Sequence, residues 1–358
     1  PGGGGAGGDG PALVEGCDGA RLLEPESDTS VRGPWPVGAR TLSIDGLTVE
    51  AWYPAREPGG AATVYDVRDY LPASELGKIP DAAAPLQPCE CSRDAPVDAS
   101  RGPYPVIVFV HGTAGFRTQS LELTSHWASR GFVVLAADHP GLYLKDLLGS
   151  VCGAGNVSQD LGGDLAAIVA AVRSGTGLGD LAGVLDASRI GMAGHSAGGG
   201  AIRAQGEIAQ VLVPMASGGA EAGAALRNVL VLGALEDQVV DYDQQVAGFD
   251  ASPAPKRLVG FSPAGHLAFS SLCAIQNDAG QDIVEIGQAY GVCGLSLAGA
   301  LFDCDPSYMP ADVGWRIINE ATSAAFEETL HCNAERAAWL AGVAGRHAEV
   351  AEYRDEGP

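Results

Sequence analysis

The sequence predicts an α/β fold in which helices cover both faces of a mostly parallel central sheet. Between residues 106 and 261, short apolar runs alternate with helical segments. This alternation is typical of parallel strands that are joined by crossover helices. The run over residues 106–110 (VIVFV) is continuously apolar, which favours a strand buried on both faces. These two observations together predict the fold class.

The first predicted element is a β-hairpin. Residues 41–44 and 47–53 have strand-like patterns, and Asp45-Gly46 between them suits a tight turn with two positive φ angles. Residues 56–103 are rich in Pro, Ala and Asp and are expected to form a surface excursion. Further strands are predicted at residues 106–110, 132–137, 189–193, 211–215, 229–233 and 257–261, the last of which ends the sheet. Helices are predicted at residues 120–130 and 161–172, from Ser196 onward and at 315–330, with an irregular segment at 140–157.

One folded domain is expected. Residues 1–30 are predicted to be a flexible Gly-rich tail, followed by a single domain over residues 31–358 that carries the excursion 56–103 and a Cys-rich segment 270–358. The Gly-rich start is typical of a mature chain whose targeting segment has been removed. It predicts a secreted, periplasmic or cell-surface protein, including a processed bacterial lipoprotein. No apolar stretch is long enough to predict a membrane-spanning helix.

The charge balance excludes one class of partner. The chain has 21 basic and 44 acidic residues and a formal net charge of −23. The field of such a chain repels polyanions, so nucleic acid is not expected as a partner. The same charge favours solubility, and we expect a monomer.

The eight cysteines are expected to form disulfides in an oxidising compartment. No CxxC pair is present, so a zinc ribbon or a thioredoxin-type site is not predicted. The pairing stays open at this point, because eight cysteines allow many connectivities. Cys89 and Cys91 are only two positions apart, and each is expected to pair with a more distant cysteine.

A nucleophile elbow is predicted around Ser196. Residues 194–198 (GHSAG) match the pattern G-x-S-x-G, and they follow a predicted strand and precede a helix of small residues. This strand–turn–helix context holds the serine in a strained turn and exposes its hydroxyl above the sheet. Gly194 and Gly198 are the small neighbours that such a turn needs. The pattern is that of an α/β-hydrolase fold.

The acid and the base are expected after later strands, in that order. Asp237 lies in the loop after the strand at residues 229–233 and is favoured as the acid, with Glu236 and Asp241 as alternatives. His266 lies on a Gly-flanked loop after the strand at residues 257–261 and is the expected base. Ser196, His266 and Asp237 would then form a triad for nucleophilic acyl transfer, for which no metal or cofactor is needed.

The oxyanion of such a reaction needs two preorganised N–H donors. The backbone N–H groups of Ala197 and Thr113 are predicted for this role, because Ala197 follows the nucleophile and Thr113 lies in the loop after residues 106–110. The residues predicted to contact substrate are Ala114, Phe116, His195 and Leu267.

Several segments resemble a known family. Residues 105–112 (PVIVFVHG), 115–118 (GFRT) and 128–134 (ASRGFVV) resemble the plasma-type platelet-activating-factor acetylhydrolases and their bacterial, dienelactone-hydrolase-like relatives. Residues 186–190 and 194–199 are similar to the same group and to the cutinase-like polyester hydrolases. The resemblance covers residues 35–270 and implies the fold and the triad. Thr113 and Ala197 depart from the residues usual in those families, so the resemblance implies neither lipid nor polyester specificity.

The function expected from these observations is hydrolysis of neutral, short-acyl carboxylic esters through an acyl-enzyme. The first alternative is a polyester depolymerase acting on PET-like or cutin-like polymers, and the second is a lipid esterase similar to platelet-activating-factor acetylhydrolase. A third alternative, from a different class, is a non-catalytic binding protein on a hydrolase scaffold. The partner is accordingly expected to be a small or a polymeric ester.

Overall fold

A computed structural model describes residues 25–295, 299 and 301–357 of the chain. The strands of its sheet are β1 Val37–Ile44, β2 Leu47–Pro54, β3 Ala62–Asp66, β4 Leu86–Arg93, β5 Tyr104–Val110, β6 Val133–Ala137, β7 Leu185–His195, β8 Val211–Met215, β9 Asn228–Ala234, β10 Lys256–Phe261 and β11 Val350–Glu356. The helices are α1 Leu121–Ser129, α2 Leu144–Val151, α3 Leu161–Ser174, α4 Ala197–Ile202, α5 Tyr242–Ala251, α6 Ile283–Ala289, α7 Ala311–Leu330, α8 Glu335–Ala341 and α9 Val343–Arg346.

The described strands form one sheet in the order β11-β10-β9-β8-β7-β5-β6-β2-β1-β4-β3. Strands β6, β5, β7, β8, β9 and β10 are parallel to their neighbours in this run. β11 is antiparallel to β10 at one edge, and β2 is antiparallel to β6 on the other side. The predicted α/β class with a mostly parallel sheet is confirmed.

Both faces of the sheet are buried, as the continuous apolar strands predict. Along β5, Ile107 and Phe109 belong to one apolar core, whereas Val106 and Val108 belong to the other. This division follows from the two-residue period of a strand. Helices α1 and α7 pack on the first face, and α3 and α5 pack on the second. The helices on the two faces do not occupy the carboxyl ends of the parallel strands, where α/β proteins commonly form their sites.

The predicted hairpin is confirmed. β1 and β2 pair in register from Ile44–Leu47 outward, and the two turn residues Asp45 and Gly46 have φ angles of 49° and 83°. A turn with two positive φ angles matches the right-handed twist of the strands that it joins.

Two of the element predictions are wrong. Residues 140–157 contain the helix α2, and the strand at residues 257–261 is followed by one more strand, β11. The predicted excursion 56–103 contains β3 and β4, which extend the sheet beyond β1. β4 and β11 are mixed in polarity and lie near or at an edge, so they lack the continuous apolar run that marks the central strands.

The end of the predicted tail is tied to the domain. Residues 1–24 lie outside the described residues, but the backbone carbonyls of residues 25–28 accept hydrogen bonds from Arg130 and Arg336. Both arginines also pair with the buried carboxylate of Glu327. Thr29 is fully buried and donates to the carbonyl of Glu320. Residues 25–29 are thus attached to the folded domain by side chains from other elements.

Three disulfides join described cysteines: Cys89–Cys91, Cys152–Cys293 and Cys273–Cys304. The expectation that Cys89 and Cys91 each pair elsewhere is wrong. Between Ala62 and Thr63 of β3, the partner residue on β4 shifts from Ser92 to Cys89, so β4 bulges there. The bulge brings the two Cα atoms to 5.0 Å, a separation that a disulfide can bridge. Cys332 is also disulfide-bonded, and Cys17 lies outside the described residues.

Two segments, residues 67–85 and 272–295, cover the carboxyl ends of the central strands and are called the roof segments below. Two hydrogen bonds join these segments to each other. The N–H of Cys293 donates to Glu75 at 2.6 Å, and Lys78 donates to the carbonyl of Gly291 at 2.8 Å. The Cys152–Cys293 disulfide joins the second segment to the end of α2. Within the described residues, no helix is long and apolar enough to cross a membrane.

Candidate active site

Ser196 lies in a sharp turn between β7 and α4. Its backbone has φ 54° and ψ −119°, a left-handed conformation that is strained for a residue with a side chain. Gly198 is needed there, because a Cβ atom at this position would lie 2.2 Å from the carbonyl oxygen of Val110. The predicted elbow is therefore present, and Ser196 is partly exposed to a cavity above the sheet.

Asp237 and His266 meet at the carboxyl ends of β9 and β10. The Nδ1 of His266 lies 2.9 Å from Oδ2 of Asp237, and both side chains are buried. The other carboxylate oxygen of Asp237 accepts 2.8 Å hydrogen bonds from the N–H groups of Val239 and Val240. Burial of Asp237 opposes its ionisation, but the bonds from His266 and from the backbone outweigh it and lower the pKa of Asp237 below its usual value. Ser196 and His266 line the same cavity.

The two other predicted acids have different surroundings. The carboxylate of Glu236 accepts from the hydroxyl of Ser262 and from the N–H of Ala264, and so fastens the loop that leads to His266. Asp241 is exposed and precedes α5. Of the three acids considered, it is Asp237 that the structure brings against His266.

Among residues 112–115 of the loop after β5, one backbone N–H is left as a candidate oxyanion donor. The N–H of Gly112 donates to Gln119, that of Ala114 to the carbonyl of Leu142, and that of Gly115 to the carbonyl of Gly112. The N–H of Thr113 has no backbone acceptor among the described residues. Ala197 is the first residue of α4, where an N–H has no intrahelical acceptor.

The cavity above Ser196 is almost entirely apolar. The four predicted substrate contacts, Ala114, Phe116, His195 and Leu267, all line it. Its walls also include side chains of both roof segments, namely Val67, Leu71, Ile79, Ile283, Val284, Val292 and Leu295. Arg68 lines the cavity as well, but its guanidinium is already paired with Asp66 and Asp81. The cavity thus suits an uncharged, apolar ligand.

Sequence reasoning missed two residues that contact Asp237 and His266. Gln245, on α5, donates to Oδ2 of Asp237 at 2.9 Å. Asp303, in the Cys-rich segment, accepts the backbone N–H of His266 at 2.8 Å, and its other oxygen accepts from the hydroxyl of Tyr308. A side-chain amide in a helix and an acid in an irregular segment match no local motif. Only their position in the fold identifies them.

No group of three or more His, Cys, Asp or Glu side chains in the described part of the chain is arranged to hold a metal ion.

Two family models match the chain. Residues 31–141 match the family Platelet-activating factor acetylhydrolase, isoform II, and residues 92–206 match the family Chlorophyllase. No curated protein matches the sequence significantly. The two matches include β5, β7 and Ser196, whereas Asp237 and His266 lie beyond them. Both families are ester hydrolases of the α/β-hydrolase type, so the resemblance noted in the sequence is confirmed. The chain therefore has an α/β-hydrolase fold and is similar to two families of ester hydrolases.

Proposed function

We propose that the protein is a serine carboxylic-ester hydrolase that acts through Ser196, His266 and Asp237. The observation that carries this proposal is the buried 2.9 Å contact between His266 and Asp237, beside a cavity that Ser196 enters from a strained turn. A serine hydroxyl is a weak nucleophile unless a base accepts its proton, and an acid that orients the base completes the arrangement.

In the proposed reaction, Oγ of Ser196 attacks the ester carbonyl carbon while Nε2 of His266 accepts its proton. Asp237 holds the proton on Nδ1 and stabilises the imidazolium. The tetrahedral intermediate collapses, and the alcohol leaves with the proton from His266. Water then attacks the acyl-enzyme while Nε2 of His266 accepts its proton. The second tetrahedral intermediate collapses, the bond to Oγ of Ser196 breaks, and His266 returns the proton to Oγ as the carboxylic acid leaves.

The N–H groups of Thr113 and Ala197 are the proposed oxyanion donors. Thr113 is supported by elimination, because the N–H groups of Gly112, Ala114 and Gly115 are already used. Two donors aimed at the developing negative charge stabilise the transition state more than the substrate.

The proposed substrates are neutral esters with a short acyl group. The apolar walls favour an uncharged ligand, and a chain with a net charge of −23 disfavours anionic substrates. A polyester depolymerase needs an open cleft that a polymer can enter. The roof segments over the cavity weigh against that alternative, since residues 67–85 and 272–295 both contribute to its walls.

A fluorophosphonate probe tests the enzymatic proposal. We expect the probe to label Ser196 in the wild-type protein and to label His266→Ala far more slowly, because the base is missing. Absence of labelling at Ser196, or labelling at an unchanged rate in His266→Ala, would favour the non-catalytic binding protein. Asp241→Asn is the matched control for Asp237→Asn, and only the latter is expected to lower kcat by a large factor, on the order of 10⁴.

Two series of esters test the substrate class. p-Nitrophenyl esters from acetate to palmitate vary the acyl group, and acetate esters of alcohols from ethanol to dodecanol vary the alcohol group. The proposed preference for a short acyl group predicts the highest kcat/KM with the shortest p-nitrophenyl esters. The apolar walls are then left to the alcohol, so kcat/KM should rise with the length of the alcohol as more apolar surface is buried. Faster release of products from a polyester film than from these esters would overturn the assignment.

An extracellular or periplasmic location is proposed together with this activity. It is supported by three disulfides among the described cysteines, since such bonds persist in oxidising compartments. Mass spectrometry of the protein isolated from its producing cells without reductant would test it. Fully reduced cysteines would argue against this location.

A further inference from the structure

A chain of three buried hydrogen bonds links residues 111–115 to His266, the proposed base. Residues 111–115 carry the proposed donor Thr113 and are called the oxyanion loop below. The N–H of Gly112 donates to Oε1 of Gln119 at 3.0 Å, and Nε2 of Gln119 lies 3.0 Å from Nδ1 of His195. The Nε2 of His195 lies 2.9 Å from the backbone carbonyl oxygen of His266. Gln119 and His195 are both nearly inaccessible to solvent.

The direction of each bond in this chain follows from the first. Because Oε1 of Gln119 accepts from Gly112, its amide group faces His195 and must donate to Nδ1. The proton of a neutral imidazole is then on Nε2, where it donates to the carbonyl of His266. Burial, and next the electrostatic interaction with the ring of His266, lower the pKa of His195 to about 3, so the ring stays neutral as this arrangement requires.

The geometry points to Gln119 as a positioning residue for catalysis, which acts with His195 to fix the distance between the oxyanion loop and the base. This inference rests on the proposed function. Gln119 lies two residues before α1, far in sequence from both His195 and His266. Its side chain joins the loop that carries Thr113 to the strand end that carries Ser196. The fit is close, since a Cβ atom on Gly115 would lie 2.1 Å from Oε1 of Gln119.

The position of the Thr113 N–H matters for catalysis, because an oxyanion hole tolerates little displacement of its donors. Donors stabilise the transition state only when they lie at hydrogen-bond distance from the oxyanion, and small displacements are costly. Without the amide of Gln119, the Gly112–Thr113 backbone loses one anchor and His195 loses its donor. The N–H of Thr113 would then be free to move relative to Ser196.

The test compares Gln119→Met with Gln87→Met. Gln87 is a matched control, because it is also a buried amide and donates to the carbonyl of Thr118, one residue before Gln119, but makes no contact with the elbow. We expect Gln119→Met to lower kcat by roughly 10- to 100-fold with KM changed less than about threefold. Gln87→Met is expected to lower the melting temperature but to keep kcat.

The affinity for a trifluoromethyl ketone distinguishes a positioning role of Gln119 from a general loss of folded protein. This inhibitor forms a tetrahedral adduct with the serine, whereas the corresponding alcohol binds without an oxyanion. We expect Gln119→Met to weaken the ketone by the same factor by which it lowers kcat/KM and to leave the affinity for the alcohol unchanged. If Gln119→Met does not fold, Gln119→Glu replaces it and is assayed at a pH where the side chain is ionised, because the carboxylate keeps the shape and the acceptor but cannot donate to Nδ1.

The outcomes separate this inference from the proposed function. If the wild-type protein is not labelled by a fluorophosphonate, the proposed function fails. If the wild type is labelled and hydrolyses esters, but Gln119→Met keeps kcat and ketone affinity, only the positioning role is overturned. Equal loss of kcat in Gln119→Met and Gln87→Met would show a general packing effect and would also overturn it.

Discussion

The backbone of His266 is held at both of its polar groups. Asp303 accepts its N–H at 2.8 Å, and His195 lies 2.9 Å from its carbonyl oxygen. Asp303 belongs to the Cys-rich segment and directly precedes Cys304, which is bonded to Cys273. This segment, which neither family model covers, therefore does more than enclose the cavity, because it also contacts His266, the proposed base.

Substitution of Asp303 tests this contact. Asp303→Ala removes the acceptor for the N–H of His266 and is expected to lower kcat about tenfold, because the base loses one anchor. Asp303→Asn keeps an acceptor oxygen and is expected to stay within about threefold of wild type. Steady-state kinetics with a p-nitrophenyl ester measure both variants.

Asp305→Ala is the control for this pair. Asp305 is exposed, and its carboxylate accepts from Ser307 within the same turn. It should leave kcat unchanged. Equal losses in Asp303→Asn and Asp303→Ala would mean that the acceptor is not what matters.

Local pattern and strand order predicted Ser196, Asp237 and His266, because each follows a recognisable apolar strand. The same reasoning could not find Gln119 or Asp303. Gln119 contacts a residue 76 positions away, and Asp303 contacts one 37 positions away. Such contacts depend on how loops pack over the sheet, which periodicity does not encode.

At the level of elements, the central strands were predictable because burial on both faces requires continuous apolar runs. β11 was not, since four of its seven residues are charged, namely Glu352, Arg354, Asp355 and Glu356. Charged residues of this kind protect an edge strand against pairing with other chains. They also remove the pattern by which a strand is recognised.

The disulfides should differ widely in their effect on stability. Cys152 and Cys293 are 141 positions apart, whereas Cys89 and Cys91 are two apart. A cross-link restricts the unfolded chain more when it closes a longer loop. We expect removal of the Cys152–Cys293 bond by paired Ser substitutions to cost roughly 3–5 kcal/mol.

Removal of the Cys89–Cys91 bond is the internal control, and its expected cost is much smaller. Urea denaturation without reductant measures both variants. A larger loss from the Cys89–Cys91 pair would contradict the loop-closure argument and would show that the bulge in β4 depends on its disulfide.

For the whole molecule, buried histidines link stability to pH. His111, His126, His195 and His331 are buried, and burial is the main cause that lowers the pKa of each to about 3. In the unfolded chain their pKa is about 6.5. As the pH falls below that value, the unfolded state binds protons that the folded state excludes, so the stability decreases until about pH 3.

We therefore expect the melting temperature to fall steadily from pH 7 to pH 4. Each of these histidines adds up to about 1.4 kcal/mol per pH unit to the slope. His331→Phe removes one of them and keeps the ring that stacks on Phe132 at 4.2 Å, so its slope should be shallower. An identical slope for the variant would contradict this account.

The net charge of −23 should act on substrate choice through a field that salt screens. We expect kcat/KM for an ester that carries a carboxylate to rise when salt is increased from about 10 mM to about 500 mM, since the Debye length falls from roughly 30 Å to a few ångströms. The value for a neutral ester of the same size should change little. If kcat/KM changed by the same factor for both esters, the electrostatic field of the chain would not act on substrates at the active site.

The fastening of the roof segments has a consequence for how the enzyme meets insoluble substrates. A lipase with a mobile lid is activated at an oil–water interface, because the lid opens there. Here the Cys152–Cys293 bond and the hydrogen bond between Glu75 and Cys293 hold the roof segments in place. The rate should therefore follow the concentration of dissolved ester smoothly through the micelle threshold. A sudden increase at that threshold would show that the cover opens at an interface.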